Sequence, residues 1–502
     1  MHNQSHDINQ ALHRAVNFHQ SGRFREAEEI YREVLRVAPG NADALHFLGV
    51  LAYQTGNLAG AVESIGGALR IDPNIAEAHY NLAKALADQG KLDEAVESYR
   101  RAASIDPNIA EAHYNLGLAL SELGRPDEAA ESYRRAISIN PNDPDAHYNL
   151  GNAYTELKRL REAVECYENA LRLKPDFPRA HVNLGIAFKE LGRFDLAIAS
   201  YREAIAFDPD NADTHFNLAN ALDEEGLLDE AVESLRRAVR LDPNHAKAYS
   251  KLGKTLTKQG STGEAADHYR RALQLNPDND TAKHMLAALG GQTPETAPPQ
   301  FVKNLFDDCA ENFEEHLVNR LSYKSPMEIR RAFEGLLKDG RRFVNMIDLG
   351  CGSGLAGQEF RGIADRLTGV DIAPKMIEVA RRKNVYDVLR AGDIVETLNA
   401  SGEKYDLFVA TDVLVYVGNL RPLFGSIQAH ALSGAYLVFT TESQEEQDFS
   451  LRPSGRYAHS RAYLRSLADE YGFVLERCES AVLRTDKGQD IMGNHAIMRY
   501  AR

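Results

Sequence analysis

Prolines stand at positions 39, 73, 107, 141, 175, 209, 243 and 277 of this 502-residue chain, always 34 residues apart. Alanines keep the same step from Ala27 to Ala265, and a second series runs from Ala68 to Ala272, with Val34 in its first place. Glycine holds positions 22, 56, 90, 124, 192, 226 and 260, and Lys158 replaces it once. A proline cannot extend the helix before it, and a glycine readily takes the left-handed conformation that ends one. Each 34-residue unit therefore reads as two short helices, with a glycine between them and a proline segment after them. Small residues at the crossings let the two helices approach closely. One such pair has no way to bury its apolar face alone, so neighbouring pairs must stack into an α-solenoid. That constraint covers residues 8–279, more than half of the chain.

The period and the residue types resemble the tetratricopeptide repeat (TPR). The resemblance implies eight repeats wound into a superhelix with a protein-binding surface. Residues 280–289 read as a closing cap helix, which takes the repeat domain to 8–289. Residues 290–303, with Pro294, Pro298 and Pro299, read as a linker. Over 304–502 apolar runs alternate with amphipathic stretches, the pattern of an α/β sheet with crossover helices. Strands are predicted near 343–348, 366–371, 405–410 and 434–440, and helices near 355–364, 374–382, 420–431 and 459–471. An antiparallel pair is predicted near 473–483 and 493–500.

Asp348-Leu349-Gly350-Cys351-Gly352-Ser353-Gly354 follows the apolar run 343–347. Apolar residues that stop at glycines describe a buried strand ending in a tight turn, where a ligand can approach the main chain. The helix after it is expected to present free N–H groups and its positive dipole end to negative charge. The nicotinamide signature is G-x-G-x-x-G. An acid two residues before G-x-G-x-G resembles instead motif I of class I S-adenosylmethionine (SAM) methyltransferases. Asp371 ends the second strand, 23 residues after Asp348. A carboxylate there can accept both ribose hydroxyls, although a nicotinamide enzyme would also carry one. Taken singly, Asp348 and Asp371 would read as turn or capping carboxylates.

Two further segments keep the methyltransferase order. Arg390-Ala391-Gly392-Asp393-Ile394 stands where the resemblance implies an acid on the adenine amino group and an apolar residue on the ring. Residues 405–416, with Asp412 and Tyr416, are similar to the fourth strand and its loop. The resemblance implies a Rossmann-like class I domain, a seven-stranded sheet with a reversed last strand. It also implies SAM as cofactor and S-adenosylhomocysteine as product. On it, the cofactor is held by Asp348, Gly350, Gly352, Gly354, Asp371, Ile372, Asp393, Ile394 and Asp412. Phe306–Leu317 and Tyr323–Pro326 resemble a segment of predicted bacterial TPR methyltransferases. A similar segment covers the cofactor in related small-molecule enzymes, which makes Tyr323 a candidate contact; an amphipathic helix docking on the sheet would read the same way.

Methyl transfer from a sulfonium is an in-line displacement, so the protein mainly aligns the nucleophile and excludes water. Where the acceptor must lose a proton, the candidate bases are Asp412, Tyr416 and His459. His459, opening a predicted helix, reads first as a capping or surface histidine. Cys166, Cys309, Cys351 and Cys478 are far apart and form no C-x-x-C. That pattern argues against a zinc site or a disulfide framework and fits a reducing cytoplasm. No metal is expected. Net charge is −15, with 32 basic and 43 acidic residues up to position 290, so nucleic acid is disfavoured as a main partner. No apolar run approaches the ~18–20 residues of a membrane span, and the first residues show no basic or apolar secretion region. A cytoplasmic protein is expected.

Asn81, Asn115, Asn149, Asn183 and Asn217 also keep the 34-residue step, with Asn152 and Asn220 nearby. Amides both donate and accept, so such a row can grip an extended peptide whatever its sequence. The arrangement resembles the asparagine ladder of the O-linked N-acetylglucosamine transferase repeats, although asparagine is common at this repeat position. The periodic histidines 79, 113, 147, 181 and 215 read as packing residues, too far apart to share a metal. Three functions remain open. One is a methyltransferase whose repeats recruit a protein partner or substrate. Another is a small-molecule methyltransferase localised by its repeats. The third is a non-catalytic scaffold with a SAM-sensing domain.

Overall fold

The computed structural model describes residues 2–501 except 308, 311–312, 315–316, 318–320, 338–339 and 487–488. It forms two compact units, Met1–Leu241 and Asp242–Arg502.

The first unit is seven antiparallel helix pairs, from His2–Gln20 with Phe24–Val37 to Ala212–Glu224 with Leu228–Leu241. Ala27, Ala61, Ala95, Ala129, Ala163, Ala197 and Ala231 are fully buried at the crossings. In most pairs sixteen residues separate a small residue on the first helix from a tyrosine on the second; Ile65 and Leu235 take that place in the second and seventh. A Cβ at Gly151 would lie 2.6 Å from the Tyr167 ring, and Gly185 stands in the same relation to Tyr201. The periodic histidines have a bonding role as well: His79, His113, His147, His181 and His215 each place Nε2 at 3.0–3.2 Å from the carbonyl of the proline six residues earlier. They tie each first helix to the turn that delivers it.

The second unit begins with the eighth pair, Ala246–Gln259 and Thr262–Leu275, and the closing helix Asp280–Leu289. After it the segment 293–297 is bonded along its length. Ala297 N–H donates to the Tyr416 carbonyl (3.0 Å), Asn419 N–H to the Glu295 carbonyl (2.7 Å) and Leu451 N–H to Thr293 Oγ1 (3.3 Å). Helices Pro299–Asp307 and Ser325–Glu334 lead into the sheet.

Nine strands follow: β1 Phe343–Leu349, β2 Ala364–Asp371, β3 Val388–Ala391, β4 Tyr405–Ala410, β5 Ala431–Gln444, β6 Phe449–Leu451, β7 Tyr457–Ser460, β8 Phe473–Asp486 and β9 Gln489–Tyr500. β3, β2, β1, β4 and β5 are parallel neighbours in that order. β9 runs antiparallel to β5 and carries β8 on its outer side. These seven strands, with β9 reversed, match the expected sheet; the β6–β7 hairpin is an addition to it. β7 pairs with Glu442–Gln444, where β5 outruns β4. Side chains alternate between the faces, as a pleated strand requires. Phe408 and Ala410 pack with Phe424 and Leu464 on one side, while Leu407 and Val409 pack with Phe333 and Phe360 on the other. Among the described residues no helix is long and apolar enough to cross a membrane.

Candidate functional site

The chain order reverses between β1 and β4, and in an open α/β sheet ligands bind beyond the strand ends at such a switch point. A cavity lies there. Gly350, Gly352, Asp371, Ile372, Asp393 and Ile394 line it together with Tyr323, Thr411, Asp412, Val413, Tyr416 and Val417. Thr296, Ala297, Pro299, Val302, Phe306, Phe313 and Leu317 close the side. Phe306, Phe313 and Leu317 belong to the covering segment expected from sequence, and Thr296, Ala297, Pro299 and Val302 to the expected linker.

Asp371 is fixed by two backbone donors: Gly352 N–H to Oδ2 and Ala373 N–H to Oδ1, both 2.8 Å. Burial raises its pKa and the two N–H groups oppose that shift. Gly352 has φ +52°, and among the described residues only Phe313 comes within 4.0 Å of where a Cβ would stand. Asp393 Oδ1 caps helix Ile394–Ser401, accepting from Val395 N–H (2.8 Å) and Glu396 N–H (3.0 Å). It is therefore both a capping residue and part of the cavity wall.

The N–H groups of the loop itself are engaged within the protein. Gly350 and Cys351 donate to the Val370 carbonyl, Gly352 to Asp371 and Gly354 to the Cys351 carbonyl. The helix behind them, Leu355–Phe360, is six residues long. Gly354 and Asp348 do not line the cavity. Asp348 is fully buried behind the loop, accepts from the Tyr386 hydroxyl at 2.7 Å, and has no partner for Oδ1 among the described residues. Burial pushes its pKa up to about 7; Tyr386 opposes the shift and Asp371 adds to it. Tyr386, absent from the sequence reading, packs against Gly354, Gly357 and Gly369 and so supports the whole loop.

A family model described as "Methyltransferase domain" matches residues 309–477, and models described as "Tetratricopeptide repeat" and "TPR repeat" match segments from 14 to 280. The chain carries tetratricopeptide repeats and a class I methyltransferase domain. Over 111 residues it is 27% identical to the Ubiquinone biosynthesis O-methyltransferase of Methylobacterium sp. (strain 4-46), covering 22% of this chain and 45% of that protein. Over 134 residues it is 26% identical to the Malonyl-[acyl-carrier protein] O-methyltransferase of Salmonella typhimurium, covering 27% and 53%. The chain thus spans about half the length of these curated relatives. Among solved structures, "YrrB: a TPR protein with an unusual peptide-binding site" is 25% identical with a TM-score of 0.35, covering 38% of this chain and 97% of that one.

On the cavity wall, Asp412 takes φ +55° and is held by two arginines. Arg456 Nη2 lies 3.0 and 2.9 Å from its two oxygens and Arg484 Nη1 lies 3.4 Å from Oδ1. The buried Glu442 bonds Arg484 at 2.5 Å and approaches Arg456 at 3.4 Å. Both oxygens of the Asp412 carboxylate are therefore engaged by guanidinium donors. The Arg456 guanidinium lies 5.3 Å from the Tyr416 ring centroid, and Phe306 meets the same ring edge-on at 5.4 Å. Burial raises the pKa of Tyr416, and of Tyr323 well above its ordinary value. Both hydroxyls are neutral at ordinary pH. Arg456, Arg484 and Glu442 are dispersed in sequence and form no motif.

His459 does not line the cavity. It lies in β7, one residue before Ser460, which caps helix Arg461–Tyr471. Its Nε2 sits 2.9 Å from the Val417 carbonyl and 3.0 Å from that of Gly418, and burial lowers its pKa to about 4. It pins the loop after β4 as a neutral donor. Of the covering segment, Asp308, Glu311, Asn312, Glu315 and His316 lie outside the described residues. Among the described residues no cluster suits a metal.

The ladder asparagines are partly exposed on the first helices. Nδ2 of Asn115, Asn149 and Asn183 donates to Tyr80, Tyr114 and Tyr148 of the preceding repeat at 3.0–3.2 Å. Asn81 meets His46 at 3.0 Å in the same way, and Asn183 also donates to Asn152 at 2.8 Å. Asn217 occupies the same helix position in the seventh repeat.

Proposed function

We propose that this protein transfers a methyl group from SAM to an oxygen acceptor, and that its repeat arm, residues 8–289, recruits a protein that is the substrate or brings it. The observation that carries the cofactor assignment is Asp371, aimed by two backbone N–H groups beside the open Gly352. Each of its oxygens keeps a lone pair for a ribose hydroxyl. Asp393 would take the adenine amino group, with Ile372 and Ile394 on the ring faces. The residues fit the cofactor: the Gly352 surface has room, and Asp371 and Asp393 offer acceptors for its hydroxyl and amino donors. SAM supplies a methyl group on a sulfonium, already activated for displacement.

The chain's own part is enclosure and alignment. Phe306, Phe313 and Val302 exclude water, and Tyr416 and Tyr323 position the acceptor beside Asp412. The oxygen acceptor is supported by the names of the relatives, which are O-methyltransferases.

Titration calorimetry of the full chain with SAM tests the first step, with Asp371→Ala as control. Binding by the wild type and at least a tenfold loss in the variant is expected; no binding by the wild type overturns the enzyme reading. Labelled-methyl transfer into a lysate, separated into protein and small molecules, tests the second. Label in protein that falls in an Asn149→Ala/Asn183→Ala variant supports recruitment. Unchanged protein labelling refutes it, label in small molecules alone favours a localising arm, and SAM binding without transfer favours a sensor.

A further inference from the structure

The face that carries the asparagine ladder also carries charge, and its sign repeats. At 3.6 residues per turn, residues 77, 81, 84 and 88 share one face of helix Ala76–Asp88. Glu77, Glu111 and Asp145 stand four residues before Asn81, Asn115 and Asn149, and Asp88, Glu122 and Glu156 stand seven after them. All six are exposed. Two rows of carboxylates thus flank the asparagines across the third, fourth and fifth repeats, and Lys84 is the one cation on these three faces.

The second helices of the same repeats are different. There Glu97 and Glu131 pair with Arg100 and Arg134 at 3.0 and 3.2 Å. The six ladder-face acids are in no ion pair among the described residues. Rows of uncompensated like charge repel one another and lower stability, and a cationic partner relieves that repulsion. In the eighth repeat the sign reverses, with lysine at all four places from Lys247 to Lys258.

The ladder amides have capacity left. In Asn115 and Asn149, bonding to the tyrosine of the preceding repeat uses one N–H and leaves the second N–H and the carbonyl. Those are the groups that recognise a peptide backbone. An extended chain laid along them sends alternate side chains to opposite sides, toward the two carboxylate rows.

We propose that the third to fifth repeats hold an extended polypeptide segment rich in lysine and arginine. The proposal rests on the reading of the repeats as a peptide-binding arm and adds the chemistry of the partner.

The test uses the full chain and three dye-labelled twelve-residue peptides, (Lys-Ser)6, (Gln-Ser)6 and (Glu-Ser)6, followed by fluorescence anisotropy at low and moderate salt. The lysine peptide should bind about tenfold more tightly than the glutamine peptide at low salt, with the gap closing as salt rises. The glutamate peptide should bind most weakly. Replacing Glu111, Glu122, Asp145 and Glu156 by their amides should abolish the preference and keep the glutamine peptide's affinity. Asn115→Ala/Asn149→Ala should weaken both peptides. A charge-matched control, Glu94, Glu165, Glu168 and Glu203 changed to glutamine on second helices, should keep the preference. Equal binding of the three peptides, or equal loss in the control, overturns the inference and leaves the arm reading standing. Failure of every peptide to bind removes both.

Discussion

Lys158 takes the φ of +59° that glycine takes at the same place in the other repeats, and it closes its helix with the same bonds. Its N–H donates to the Thr155 carbonyl and the next N–H to that of Tyr154, as Gly124 and Arg125 donate to Ser121 and Leu120. A Cβ in the left-handed region costs about 1–2 kcal/mol. Lys158→Gly should therefore stabilise the repeats, by about 1 kcal/mol after the greater freedom of an unfolded glycine is subtracted. Its ion pair with Glu190, 3.4 Å and exposed, offers little to lose. Chemical unfolding followed by circular dichroism measures the difference, and a destabilised variant would contradict it. Asp348 gives a second prediction at this scale. With a folded pKa of about 7 against an unfolded value near the ordinary one, the folded state holds the extra proton between about pH 4 and 7. Stability therefore falls as pH rises through that window and levels off above it. Asp348→Asn should flatten the slope in calorimetric melts of the full chain. Tyr386→Phe, which removes the donor to the carboxylate, should cost about 1–3 kcal/mol at pH 8 and less at pH 5.

Between elements, length decides what a sequence reveals. The repeat helices were legible because proline, glycine and alanine keep one period through eight units, and β1, β2, β4 and β5 because their apolar runs are long. β3 has four residues, β6 three and β7 four, too short for alternation to register. Missing β7 moved His459 into the helix that Ser460 caps, and so made it a candidate base. Its carbonyl partners at 417 and 418 are forty residues away in the chain, beyond any local pattern. The same limit hid the Asp412–Arg456–Glu442–Arg484 lock, whose four members come from separate elements. In contrast, Asp371 and Asp393 were legible because each ends or caps a local element whose pattern surrounds it. Because burial holds His459 neutral down to about pH 4, its titration should leave no inflection in SAM affinity between pH 5.5 and 8. His459→Gln should keep that flat profile. An inflection near pH 6.5 that vanishes in the variant would return His459 to the role of an acid–base group.

At the scale of the whole molecule, the stretch of glycine and proline after the repeats is the place where composition misleads most. Such a stretch ordinarily exchanges its amide protons freely, because nothing holds the backbone. Here the Ala297 amide is bonded to Tyr416, a cavity residue, and the closing repeat helix reaches the same region through His284, whose Nε2 lies 2.8 Å from the Gly455 carbonyl. Gly455 precedes Arg456, the residue that fixes Asp412 and faces the Tyr416 ring. The His284 ring is buried against Phe301 at 4.5 Å, so the contact is packed as well as bonded. Hydrogen exchange of the full chain should then show slow amides at Ala297, Asn419 and Leu451, comparable to those of the neighbouring sheet. His284→Ala removes one bond and leaves a void beside Phe301, which should cost about 1–3 kcal/mol locally. Faster exchange is expected at 297 and 455–457, with β1 and β2 unchanged. Rapid exchange at Ala297 in the wild type would mean that the segment swings free and that the cavity wall it forms is open in solution. If slow exchange at Ala297 survives in His284→Ala, the segment is held by the sheet alone, and the closing helix has no part in shaping the cavity.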